Sequence, residues 1–173
     1  MALMETVTAT ILGGGFALLG SWMTNRFNKQ NAEAQRKHEK WKAKRDSYLT
    51  KGEETYSIFN QWMINAAKIT TMYAFRMNGT YDAEQLESRL KTADMHGMTP
   101  KLTALIEIYF PELSIKFKKI QKIVFEIHMY YAQNLKEAPN STVSTEIVEQ
   151  GSKFAKEAAL FLEELGTRIK SHQ

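Results

Sequence analysis

Apolar residues recur along most of this chain at the three-and-four spacing of a helix, and they alternate with polar residues over no stretch of useful length. The pattern therefore predicts an all-α fold without strands. It is clearest from Tyr56, where Tyr56, Phe59, Met63, Ala66, Thr70, Tyr73 and Met77 share one face and Asn78-Gly79 ends the run as a turn. Asp82 followed three residues later by Gln85 has the form of a capping box, which predicts a short helix from there to about Met95, stopped by Gly97. Pro100 suits the first turn of a second short helix, Leu102 to Phe110, and Pro111 does the same for a long one. The long helix buries Phe117, Ile120, Val124, Ile127 and Tyr131. After the break at Ala138-Pro139-Asn140-Ser141, a last helix places Ile147, Gly151, Phe154, Ala158, Phe161, Leu165 and Ile169 on one face. Three strong amphipathic helices and two short ones make a bundle.

The first fifty residues follow a different rule. Between Glu5 and Arg26 lie twenty residues without a charged side chain, about the length a helix needs to cross ~30 Å of hydrocarbon. Met1 to Glu5 lacks the basic flank of a cleaved signal peptide, so a retained anchor is expected. No proline occurs before Pro100, and the first strong stop beyond the span is Gly52, so one helix is predicted to continue from the membrane to about Thr50. The expected organisation is an anchor over residues 1–25, a basic stalk over 26–50 and a helical bundle over 51–173.

Charge orients this arrangement. Residues 26–45 hold eight Lys or Arg against Glu33 and Glu39, a local charge of +6 in a chain whose net charge is +4, so the remainder is slightly acidic. Basic residues flanking a span stay on the cytoplasmic side, which predicts a single-pass inner-membrane protein with its N-terminus outside and its bundle in the cytoplasm. The absence of cysteine excludes disulfides and thiolate catalysis.

Within the span, Ala9, Gly13, Ala17 and Ser21 form a ridge of small residues, with Thr6, Thr10, Gly14 and Asn25 beside it. Such ridges let membrane helices approach closely, so self-association is expected, the polar members dividing between helix contact and a pore lining. Arg26, Asn28, Lys29 and Asn31 would then shape the cytoplasmic mouth of the pore. Farther along, Phe27, Ala34, Trp41 and Tyr48 recur every seven residues, a narrow apolar seam that calls for a partner surface, in another copy or in the chain's own bundle.

Candidate chemistry is sparse. No phosphate-binding loop, dinucleotide fingerprint, nucleophile elbow or paired metal-ligand histidines occur, and the sequence predicts no metal and no cofactor. His38, His96, His128 and His172 are spread along the chain. One spacing fits a ribonuclease of the HEPN type: Arg89, six residues, then His96, where the arginine would hold phosphate charge and the histidine would relay protons. Leu90 stands where that motif has a polar residue. Lys116, Lys118, Lys119 and Lys122 crowd one part of the long helix, either as a solvated face or as a polyanion contact.

A glycine-rich span (ILGGGFALLGSW), a basic stalk (NRFNKQNAEAQRKHEKWKAKR) and a cysteine-free helical bundle together resemble the membrane accessory protein of type VI-B CRISPR systems. That resemblance covers the whole chain and rests on architecture and length. It implies a HEPN-like bundle, no enzymatic activity, and a homo-oligomeric pore that depolarises infected cells in antiviral defence. Its partners would be the lipid bilayer, further copies of the chain, and an RNA-guided ribonuclease effector or RNA; no DNA partner is expected. Two other readings stand beside it: a membrane-tethered adaptor module, and a divergent HEPN domain that binds RNA through Arg89, His96 and the lysine face.

Overall fold

The computed structural model describes residues 2–93 and 95–171, with side chains described from Gly20 onward. Among the described residues five α-helices follow one another: α1 (Ala2–Met77), α2 (Ala83–Leu90), α3 (Met98–Tyr109), α4 (Ser114–Asn134) and α5 (Ser141–Lys170). Single 3-10 turns precede α4 at Pro111–Leu113 and follow it at Leu135–Glu137. The protein is all-α, and no strand occurs among the described residues. Two compact units divide it, residues 1–46 and 47–173.

The first unit is the N-terminal part of α1. Thr6, Ala9, Thr10, Gly13, Gly14 and Ala17 of the expected anchor lie outside the residues whose side chains are described; Ser21 and Asn25 are exposed. Among the described residues no helix is long and apolar enough to cross a membrane. Trp22, Met23, Phe27 and Trp41 are all more than half exposed. The guanidinium of Arg26 lies 5.4 Å from the Trp22 ring and that of Arg45 lies 5.3 Å from the Trp41 ring, each a one-turn cation–π pair.

In the second unit, the predicted stop at Gly52 does not occur, and α1 runs on to Met77. The reason is tertiary. Gly52 is buried, and a Cβ added there would come within 2.7 Å of the Ile169 Cγ1 on α5. Glycine therefore serves a close approach of two helices, and the helix accepts its propensity cost of about 1 kcal/mol relative to alanine. Gly151 repeats the device, since its Cβ would meet the Thr70 methyl at 2.8 Å.

The core of this unit is aromatic. Phe59 and Trp62 of α1, Phe117 of α4, and Phe154 and Phe161 of α5 are all almost fully buried. Their ring centroids lie 4.5 to 6.1 Å apart, tilted or edge to face, an arrangement worth about 0.5–1.5 kcal/mol per pair beyond area burial. Trp62 donates its indole N–H to Thr99 Oγ1 at 3.0 Å, tying α1 to the start of α3. Tyr48 packs on Phe110 with centroids 5.2 Å apart, so this residue of the heptad seam joins the bundle core. Tyr56, expected on the buried face, is instead 40% exposed; Trp62, outside the predicted stripe, takes the larger share of the core.

The ends are set by side chains. Asp82 accepts from Gln85 N–H at 2.8 Å while the Gln85 side chain accepts from Asp82 N–H at 3.1 Å, so the capping box forms as read. The helix it starts ends at Leu90 rather than Met95, because the next turn is taken up by Thr92 and Ala93 N–H groups donating to Arg89 and Leu90 carbonyls. Gly79 adopts φ +83° in the predicted turn, a conformation that favours glycine. Asn140 caps α5 by accepting from the Thr142 and Val143 N–H groups. Beside it, the Asn140 N–H donates to the Met77 carbonyl and the Ser144 hydroxyl donates to the Ala74 carbonyl at 2.9 Å, so the start of α5 closes over the end of α1.

Candidate functional site

The second half of α1, the segment joining α2 to α3, and α4 leave between them a cavity of about 670 Å³. That volume lies inside the range of small-molecule sites. Its floor comes from α1 and α4: Trp62, Ala66, Thr70, Tyr73 and Ile127 are all less than a tenth exposed, because each falls on the inward face of its helix. Ile69 and Val124 extend the aliphatic wall. Leu90, Ala93 and Met95 close one side, and Lys91, His96, Phe125 and His128 stand exposed at the rim. The floor is mostly apolar, with Thr70 and the Tyr73 hydroxyl as its polar groups, and Thr99 and Gln121 also line the cavity.

One hydrogen bond fixes the geometry at the α4 side. Tyr73 Oη and His128 Nδ1 lie 2.6 Å apart. Burial, with a smaller contribution from Tyr131, pushes the Tyr73 hydroxyl up from 10.0 to about 12, so the phenol keeps its proton at any physiological pH. Tyr131 stacks face to face on Tyr73, centroids 4.0 Å apart and rings within 2° of parallel, holding the phenol in place. In the sequence His128 is only one of four scattered histidines. Its partner is fifty-five positions away, and no local spacing announces such a pair.

Arg89 and His96 stand in different local settings. His96 is at the cavity rim, whereas Arg89 does not line it; its guanidinium lies 4.7 Å from the Tyr81 ring. Arg89 ends α2 and His96 follows in a turn before α3, so the six-residue spacing does not lie along one helix face.

The lysine row is likewise answered by carboxylates. Lys116 pairs with Glu164, Lys119 with Glu157 at 2.9 Å, Lys118 with Glu107 at 2.9 Å and Lys122 with Glu126 at 3.6 Å. These exposed pairs contribute little stability each, but they offset the positive field a polyanion would need. Arg26, Asn28, Lys29 and Asn31, expected at a pore mouth, are exposed on α1. Among the described residues no group of three or more histidines and carboxylates is placed to hold a metal ion.

No protein-family model matches the chain, and no curated protein or solved structure is similar to it.

Proposed function

We propose that this chain is a single-pass protein of the bacterial inner membrane, N-terminus outside, whose copies associate through the first part of α1 into an ion-conducting pore. The carrying observation is one helix holding twenty uncharged residues, Thr6 to Asn25, followed by a stretch, residues 26–45, with eight basic residues against two acidic ones. A span with such a flank is retained in the bilayer with the basic side inward. The exposed Trp22, within a turn of Arg26, supports the same boundary, since an indole beside a cation suits the headgroup layer.

In this reading the ridge of Ala9, Gly13, Ala17 and Ser21 brings neighbouring spans together, and Thr6, Thr10, Gly14 and Asn25 divide between that contact and the water-filled opening. Phe27 and Trp41, exposed at seven-residue multiples, continue the contact beyond the membrane in a second copy. The biological role is depolarisation of infected cells in support of an RNA-guided ribonuclease. No catalytic step belongs to it, and Arg89 and His96 have no part in conduction.

The test is release of a small dye from liposomes containing the purified full-length protein, beside the mass of the detergent-solubilised particle. Leakage that grows with protein density, together with a multi-subunit mass, is the expected outcome. Vesicles that stay tight around a monomeric protein would sink the pore.

A further inference from the structure

The chain carries two runs of cations, and their surroundings differ. Along α4 each lysine of the row from Lys116 to Lys122 pairs with a carboxylate. In the first compact unit Arg26, Lys29, Arg36, Lys37, Lys40 and Lys44 are all exposed, and among the described residues none of them makes an ion pair. We propose that these six side chains form a docking strip for the phosphodiester backbone of a nucleic acid. The strip itself needs only the helix, whereas the choice of nucleic acid over lipid rests on the reading of Thr6 to Asn25 as a membrane span.

Three observations carry it. The first is register: at about 100° per residue the six positions fall within an arc of roughly 100°, in a row ~27 Å long. Phe27, Ala34 and Trp41 lie beside that arc rather than in it, so the row stays open when a second copy covers the apolar seam. The second is charge. Glu33 is the one acid inside the arc, and a surface so dominated by one sign gains from a polyanion the free energy of counterion release. The third is distance. α1 runs without a break from the uncharged span into the basic stretch, so the row leaves the bilayer along the helix axis. Arg36 lies ~15 Å and Lys44 ~27 Å beyond Arg26. Even a helix tilted by about 40° carries Arg36 ~11 Å out, past the ~8 Å over which exposed charges act at physiological salt. Headgroups therefore serve Arg26 and Lys29, and the other four cations call for an anion that extends away from the membrane. A nucleic acid strand extends in this way, and a lipid does not.

The experiment uses the full-length chain in nanodiscs of phosphatidylcholine, a lipid without net charge, and a fluorescein-labelled oligouridylate long enough to span the strip, read by anisotropy. Binding is expected, and it should weaken on the order of a hundredfold between ~50 and ~200 mM salt, as counterion release from about five phosphates requires. Oligothymidylate supplies the DNA arm. Equal binding assigns the site to the backbone both strands share, a preference names the natural source, and either result supports the strip. The triple variant Lys37→Gln, Lys40→Gln and Lys44→Gln alters exposed side chains and keeps good helix formers. It should retain its helicity by circular dichroism, bind more than roughly tenfold more weakly at low salt, and flatten the log–log salt slope by about two. A matched variant, Lys116→Gln, Lys118→Gln and Lys119→Gln, removes the same charge from the row on α4 and should bind as the wild type does. Amide exchange of residues 36–44 should be the same in phosphatidylglycerol nanodiscs as in phosphatidylcholine. No binding, salt-insensitive binding, equal losses in the two triple variants, or protection of 36–44 by the anionic lipid would overturn the proposal. Dye release is a separate readout: tight vesicles with strand binding intact would end the pore and leave this site, whereas leaky vesicles that bind no strand would end this site and leave the pore.

Discussion

Glu54 is a carboxylate whose environment makes stability depend on acid. It accepts from Lys101 and Lys51, each at 2.7 Å, bridging α1 to α3, and these bonds hold its carboxyl at about 2 instead of 4.5. The folded pKa is the lower one, so the contribution is complete above about 4.5 and disappears as pH falls through about 2. Thermal melts between these limits should show the wild-type chain losing stability on acidification faster than Glu54→Gln; parallel curves would remove Glu54 from the account. Gly52 makes a different claim. Gly52→Ala gains helix propensity yet drives a methyl to 2.7 Å from Ile169 Cγ1, and the overpacking should win, lowering stability by about 1–3 kcal/mol. In an Ile169→Ala background the same substitution should be neutral or stabilising, and equal losses in both backgrounds would discard the contact. Neither feature could be read locally. A glycine in a helical pattern suggests a stop, and only the neighbour 117 positions on turns it into a packing site. Trp62 escaped for the same reason: it sits one position off the expected stripe, and the acceptor that satisfies its buried indole N–H, Thr99 Oγ1, lies thirty-seven positions away.

Helices and their ends were the most legible level, because caps and turns are short-range chemistry. The Asp82–Gln85 box, the Asn78-Gly79 turn, the long α4 and α5 stripes and the breaks between them all follow from residues within a few positions of one another. Boundaries shifted where backbone bonds competed, as at Leu90, where α2 closes a turn earlier than the pattern suggests. Asp82→Ala should cost about 1 kcal/mol and act locally. Amide exchange of residues 85–90 should quicken while that of α4 and α5 stays as it was; a uniform acceleration would mean that α2 supports the bundle as a whole. The lysines of α4 illustrate the opposite limit. Their spacing is plain in sequence, but their partners Glu107, Glu157 and Glu164 lie on other helices, so a row of positive letters becomes a nearly neutral surface only in three dimensions.

At the scale of the molecule, the all-α class was fully visible in periodicity, whereas the cavity was not, since it is made by three segments far apart in the chain. The Arg89 and His96 spacing, conspicuous as a string, runs from the end of α2 into the turn before α3, and only His96 lines the cavity. The junction at the start of α5 has a topological consequence. Carbonyls at the end of α1 are claimed by Asn140 and Ser144, more than sixty positions downstream, so the peptide link through Gly79 is not what keeps those helices together. A protease site introduced after Gly79 should yield, on cleavage, two pieces that migrate as one particle and melt as one. Pieces that part on a sizing column would mean the tether is covalent after all. If they stay joined, the chain is a natural candidate for splitting into complementing halves at that turn.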